Sequence, residues 1–397
     1  MAGDRIPGQG PSLCIQCAKD GSLKAFIQRN AQRGQCGLCG REAPVVSDER
    51  AFKPLVNLIR ALIRFHIEEW EYNPHFGGES INSILSQDNP ILEHLADSVP
   101  HDDLTAEGFF EAIFWPPYPP EDDGISIYGG HVEDVRVLVH AIKDNMSGTL
   151  QEAVRRLKSE NYFAVEPLLN EHLAAIGDRA DIHVEIGENF FRARTGFANR
   201  YLRHVITDWR SKVLYQPYSG AEIGAPPPAL ARAGRINREG VSYLYLARSA
   251  DTAAAEVRPH PGHLVSVVPF TAVRRLQLIN FSCDIARFCS SETDLNLFHL
   301  LHSIDRQLKT PVVPEARQRY SVTQLVADVI RRQGYDGLMY GSSVGAGENI
   351  CLFDPSSFAE IRDGGQVRYI GSLKYEIENA DVVVVPAAGD HKMPPHS

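Results

Sequence analysis

No stretch of the 397-residue sequence approaches the run of about 18 apolar residues that a membrane-spanning helix needs. Met1 to Gly10 has neither the basic start nor the apolar core of a secretory signal. The reading is a cytoplasmic protein with no membrane partner. Lysine and arginine are missing from Phe65 to Val135, where 16 acidic residues stand. Such a segment repels phosphate backbones, so neither DNA nor RNA is an expected partner. It reads as a solvated acidic face, with a docking surface for a basic partner as the second reading. Internal repeats are also absent, which sets repeat architectures aside.

What is present is ordinary for a soluble chain with a sizeable core: 43% hydrophobic and 23% charged residues. At roughly 150 residues per domain the length implies two to three domains. The net charge of −10 is unevenly placed. Residues 1–180 hold 16 basic and 27 acidic side chains, whereas residues 181–397 hold 24 and 23.

Of seven cysteines, four fall in the first forty residues, as Cys14-Ile-Gln-Cys17 and Cys36-Gly-Leu-Cys39. The 18 residues between the pairs suit a zinc site. Four thiolates can surround one tetrahedral ion, and Gly37 and Gly40 let the second knuckle turn back. Four sulfur ligands leave no open position, so the expected Zn²⁺ is structural. Disulfides and a redox site are the alternatives, the former disfavoured without a secretory signal. Cys283, Cys289 and Cys351 stand singly and read as buried or incidental thiols.

Along the chain, a short helix is expected over Ser22–Arg33 with Ser22 as its N-cap. Helical spacing follows in Val56, Ile59, Ile63 and Ile67, in Val135, Leu138 and Ile142, and in Leu150, Val154 and Leu157. Trp115-Pro116-Pro117-Tyr118-Pro119-Pro120 must be an extended loop. Beyond about residue 180 the pattern changes to short strands: 189–193, 242–247, 264–269, 275–279, 337–340, 349–353 and 368–376. Helices are expected over 294–309 and 322–333, a Pro/Ala-rich loop over 225–233, and a disordered tail at the end. The expected domains are a zinc knuckle (1–45), an acidic helical domain (46–180), a mixed α/β domain (181–384) and the tail (385–397). The fold class is α+β.

Chemistry concentrates in the third domain. Phe191-Arg192-Ala193-Arg194 sets two guanidinium groups on one strand face. Gly234-Arg235-Ile236-Asn237-Arg238-Glu239-Gly240 is a glycine-flanked loop leading into Tyr243-Leu244-Tyr245-Leu246-Ala247. Glu256 closes a small-residue segment that suits a helix capped by Asp251. Tyr340-Gly341-Ser342-Ser343 and Glu348-Asn349-Ile350-Cys351-Leu352-Phe353 follow. Arginine forks suit a diphosphate, tyrosine offers a stacking face for a heteroaromatic base, and a carboxylate beside a hydroxyl can steady positive charge developing on a ribose. The pieces fit an anionic, nucleotide-like ligand.

In this order, from about Asn189 to Phe353, the residues resemble the RES domain family, whose name comes from its Arg, Glu and Ser. The resemblance implies an ADP-ribosyltransferase-like fold and an enzyme that consumes NAD⁺, in most cases a toxin. Glu256, Arg235 and Ser342 match the family's Glu, Arg and Ser and are the expected catalytic residues. Ser343 is a neighbouring alternative for the serine. Arg192, with Arg194 close behind, matches the first arginine. With Asn237, Tyr245 and Ser343 these two complete the expected NAD⁺-binding set. Where the family often has proline before the serine, this chain has Gly341, which predicts a looser turn. The N-terminal region resembles the zinc-knuckle and HEPN-like helical segment that precedes RES domains in some longer bacterial members. HEPN ribonucleases use an Arg-x(4–6)-His pair, a spacing that Arg60 and His66 share. A structural helix with His66 partly buried is the preferred reading of that pair.

The resemblance implies cleavage of the nicotinamide–ribose N-glycosidic bond by hydrolysis or phosphorolysis, releasing nicotinamide and ADP-ribose or its 1″-phosphate. The alternatives are transfer of ADP-ribose to a protein, an inactive regulatory or binding module, and a HEPN-type ribonuclease. NAD⁺ is the expected substrate, and an antitoxin or immunity protein and a second copy of the chain are candidate partners.

Overall fold

The computed structural model describes residues 12–47, 49–73, 76–93, 109–110, 113, 139–205, 210–310 and 320–374. The proline-rich segment 115–120, residues 135 and 138, and the C-terminal tail lie outside them. The chain divides into two units, and both helices and sheets are present. Among the described residues no helix is long and apolar enough to cross a membrane.

The first unit comprises residues 1–158, 167–180 and 282–304. Its strands β1 (Leu13–Cys14), β2 (Gln32–Gln35) and β3 (Glu42–Val46) form an antiparallel sheet in the order β1-β3-β2. Helix α1 runs over Gly21–Asn30 and is capped by Asp20, not by Ser22. The Asp20 carboxylate accepts from the backbone N–H of Ser22 (2.8 Å) and Leu23 (3.1 Å), satisfying donors that a helix start leaves free. The helix stops short of Arg33 because Gln32 and Arg33 pair with β3.

Helix α2 (Glu49–His66) follows the expected spacing, burying Val56, Ile59 and Ile63, with Ile67 buried just past its end. Two short helices, α3 (Glu69–Tyr72) and α4 (Ile81–Ser86), and then α5 (Gly148–Arg156) complete this part. The helix expected through Ile142 is absent there. Ile142 and Lys143 donate their N–H groups to Arg64 and Phe65 at the end of α2, so that turn completes a neighbour's hydrogen bonds instead of its own. The long helix α6 (Tyr162–Ile176) has residues in both units.

The second unit, residues 159–166, 181–281 and 305–397, is built on one nine-stranded sheet. In chain order its strands are β4 (Asp181–Val184), β5 (Asn189–Thr195), β8 (Leu244–Ala247), β9 (Leu264–Ala272), β10 (Leu276–Asn280), β11 (Gly337–Gly341), β12 (Glu348–Leu352), β13 (Phe358–Glu360) and β14 (Gln366–Tyr369). Their spatial order is β13-β9-β5-β8-β12-β11-β10-β4, and β14 adds to β9 beyond β13. A ribbon of two further strands, β6 (Asn199–Val205) and β7 (Arg210–Gln216), leaves the end of β5. Helices α7 (Ala250–Glu256), α8 (Glu292–Lys309, its last turns in this unit) and α9 (Tyr320–Arg332) complete the set.

Alternation decides the faces. Leu244 and Leu246 of β8, Ile350 and Leu352 of β12, Met339 of β11 and Phe190 of β5 point into one apolar core. On the opposite face Ala254 of α7 packs with Val265 and Val267, against Phe191 and Ala193. Pro269 is tolerated in β9 because, on its outer edge, it falls between the stretches that pair with β14 and β13.

Two expectations needed correction here. Helix α7 is capped by Ser249, whose side chain accepts from Thr252 N, while Asp251 in the first turn pairs with Arg368. Strand β14 ends at Tyr369, which pairs with Leu264, the first residue of β9; Ile370 still exchanges backbone hydrogen bonds with His263 and Gly262 before the pairing stops. The ribbon, β4 and β13 carried no pattern strong enough to announce them.

Candidate active site

A sheet is weakest where two strands meet at one point. Strands β5 and β8 are neighbours only at the pair Phe191 and Ala247, because beyond it they diverge. There a cavity of about 250 Å³ opens, lined by Phe191, Arg192 and Ala193 of β5 and by Tyr245, Leu246 and Ala247 of β8. Tyr340 of β11, Asn349 of β12, and Ala253, Glu256 and Val257 of and beside α7 close it. Strands β5 and β8 contribute three consecutive residues each where they part, and β11 and β12 one each, so strand pairing brings residues far apart in the sequence to one wall.

Glu256 is the last residue of α7, where the helix dipole disfavours a carboxylate by about 0.3–1 kcal/mol. Two side chains offset that. Ser342 Oγ donates to Glu256 Oε1 at 2.7 Å, and Asn349 Nδ2 donates to the same oxygen at 2.6 Å. Ser342 Oγ in turn accepts from the N–H of Val344 (3.3 Å) and Gly345 (3.1 Å), which turns its own hydrogen towards the carboxylate. Ser343 makes no bond to Glu256, so of the two candidate serines Ser342 is the one joined to it. The loop that carries them is tied back by Thr252 Oγ1 to Ala346 O at 2.6 Å. Oε2 of Glu256 has no partner among the described residues.

Gly341 does not loosen the turn. Its N–H donates to Asp305 Oδ1 at 3.0 Å, Asp305 pairs with Lys309, and the Lys309 side chain occupies the space a Cβ would need. A proline has no N–H to offer there.

Arg192 reaches the cavity and donates through Nη1 to Tyr245 O at 2.9 Å, bridging the strands where they part. Burial pulls its guanidinium below the usual arginine range. Burial also raises the phenols of Tyr245 and Tyr340 well above their ordinary value, so both are neutral donors. Arg235 lies outside the cavity wall but close enough to Tyr340 to act on its phenol electrostatically. It donates to Leu308 O near the end of α8 and accepts at its own carbonyl from Thr323.

Two other expected binders have structural partners. Arg194 donates to Glu222 O and stacks 4.5 Å above Tyr218. Asn237 is buried, its Nδ2 shared by the carbonyls of Arg232, Arg238 and Val241 at 2.9–3.1 Å, its Oδ1 accepting from Tyr245 OH at 2.7 Å. The structure therefore joins Arg192, Tyr245, Glu256 and Ser342, and leaves Asn237 and Arg194 behind them. Asn349 was missed as a site residue. Its signal was a lone amide in an otherwise apolar, buried strand, where such a group must have a partner.

In the first unit the four cysteine sulfurs lie within 4.8 Å of one another, all buried. Cys14 and Cys17 are 3.6 Å apart, and Cys14–Cys39 and Cys17–Cys36 are each 3.8 Å apart. Tetrahedral Zn²⁺ with bonds of about 2.3 Å sets its sulfurs about 3.8 Å apart. The donors therefore fit a metal. Sulfur contacts with Cys14 and then Cys36, together with burial, push the Cys17 thiol far above its ordinary value, a crowding that a divalent cation relieves. Arg60 is only 5% exposed and donates through Nε to Ile113 O at 2.5 Å, while His66 faces Asp20 at 3.4 Å. Both stand in structural contacts.

Residues 203–371 match the RES domain. The matched span holds Arg235, Tyr245, Glu256, Ser342 and Asn349, and begins after Arg192 and Arg194. No curated protein matches the chain. Among solved structures, one chain of the crystal structure of the M. tuberculosis MbcT–MbcA toxin–antitoxin complex is 13% identical. That similarity covers 51% of this chain and 92% of the other, at a TM-score of 0.28.

Proposed function

We propose that the second unit is an NAD⁺-degrading enzyme that cleaves the bond between nicotinamide and ribose. The observation that carries this reading is the Ser342–Glu256–Asn349 cluster at the wall of a cavity, within a segment that matches the RES domain. As the C–N bond breaks, its electron pair goes to the pyridine nitrogen, nicotinamide leaves neutral, and the ribose becomes oxocarbenium-like. A fixed carboxylate beside that ring stabilises the charge, and the enzyme's work is positioning and electrostatics. Ser342 and Asn349 hold Glu256 through Oε1, leaving Oε2 to the ribose. Arg192, with Arg235 behind Tyr340, would attract the diphosphate, and Tyr245 would pack on the ribose or the pyridine. A water oxygen then adds to the anomeric carbon and loses its proton to solvent, or a phosphate oxygen adds as its anion.

Incubating the purified protein with NAD⁺ and following nicotinamide by chromatography tests the proposal, and no release would refute it. Label from radiolabelled NAD⁺ appearing on a protein band in a lysate would instead identify transfer of ADP-ribose. We further propose that Cys14, Cys17, Cys36 and Cys39 hold a structural Zn²⁺, which would knit the short sheet to α1 and supply no chemistry to the cavity. An antitoxin-like protein partner belongs to the same reading.

A further inference from the structure

Asn349 is only 4% exposed, yet half of its amide is unused. Nδ2 donates to Glu256 Oε1 at 2.6 Å. Oδ1 has no partner among the described residues. It is also not one of the buried side-chain atoms left without a partner, which there are Arg64 Nε and Tyr72 OH alone. Since Asn349 lines the cavity, Oδ1 is open to it. Glu256 Oε2 is likewise unpartnered among the described residues, so two acceptors flank one hydrogen bond. Water can meet both acceptors while the cavity is open, but a ligand that displaces that water must supply an O–H or N–H to each, since an acceptor left unmatched on binding costs about 1–3 kcal/mol.

We propose that Asn349 Oδ1 and Glu256 Oε2 together form a recognition edge for a vicinal diol. Two adjacent acceptors, one of them charged, repel phosphate and carboxylate and select a group with two adjacent O–H donors. In the reading given under Proposed function, on which this rests, that group is the ribose bearing nicotinamide. Glu256 must act at the anomeric carbon, so it takes the hydroxyl next to that carbon, the 2-hydroxyl. Asn349 takes the 3-hydroxyl. Asn349 is thus both a positioning residue for Glu256 and a specificity residue against sugars that lack the second hydroxyl.

The test is calorimetric binding of ADP-ribose and of its analogue lacking the 3-hydroxyl on the distal ribose, with turnover of NAD⁺ measured separately. The wild-type protein is expected to bind the deoxy analogue about tenfold more weakly, the size of one net hydrogen bond. Asn349→Leu is expected to bind both ligands alike. A merely structural role would weaken both ligands equally and leave the ratio unchanged. Equal affinities in the wild-type protein, or an undiminished ratio in Asn349→Leu, would overturn the assignment without touching the proposed function, which nicotinamide release by the wild-type protein tests separately. Binding of neither ligand, with no nicotinamide release, would overturn the proposed function with it.

Discussion

Replacing Glu256 by glutamine separates charge from shape. The glutamine side chain would retain an amide oxygen where Oε1 stands, so Ser342 at 2.7 Å and Asn349 at 2.6 Å keep their acceptor. The other oxygen becomes an NH₂ group, which turns an acceptor facing the cavity into a donor and removes the negative charge. Folding stability is therefore expected to change by less than about 1 kcal/mol, as for a substitution that leaves its hydrogen bonds in place. The loss should appear at the transition state. A preorganised group acting where charge develops contributes about 2.7–4 kcal/mol, so kcat for nicotinamide release should fall by about 10²–10³. Thermal unfolding and initial-rate chromatography on the same preparation check both halves. A folded Glu256→Gln protein with wild-type kcat would refute the reasoning, because among the described residues no other carboxylate lines the cavity.

Asn237→Ala should destabilise by about 2–4 kcal/mol, since it strips the carbonyls of Arg232, Arg238 and Val241 and the Tyr245 hydroxyl of their partner. The change should appear as a lower Tm before any change in KM, and an unaltered denaturation curve would contradict the structural role. Cys36→Ser should lower bound zinc from about one per chain towards none by atomic absorption, and chelation should lower the Tm of the wild-type protein. Full zinc retention in that variant would argue against a four-sulfur site. Burial works to raise the Asp20 carboxyl, but the His66 bond and the Leu23 and Ser22 N–H groups outweigh it, so its pKa is held below the ordinary value. Asp20 therefore stabilises the fold above pH about 4, and that contribution is lost as pH falls through the lowered value. Asp20→Ala should cost about 1–2 kcal/mol at pH 7, and that cost should shrink as pH falls below about 4 in urea titrations.

Most strands of the second unit could be read from short β-branched and apolar runs between turn residues, and α2 from its buried face at 56, 59 and 63. The caps could not be read as easily. Ser22 and Asp251 were plausible, but Asp20 and Ser249 won because their side chains precede the first turn and reach back-facing N–H groups. The β6–β7 ribbon escaped notice because both of its faces carry polar and apolar residues, leaving no alternation to detect.

Residue types and spacing alone determined that four cysteines would converge, while the resemblance suggested that arginine, tyrosine, glutamate and serine in this order belong to the one chemistry proposed above. Local sequence is enough for such statements because close cysteine pairs and glycine-flanked loops restrict the chain over a few residues. Only the tertiary structure decided which candidates meet. The divergence of β5 from β8 opens the cavity, and pairing across β8, β12 and β11 sets Asn349 in its wall, where it meets Glu256 at the end of α7. Strand register is a long-range property, fixed by which side chains fill the common core, and no window of neighbouring residues contains it.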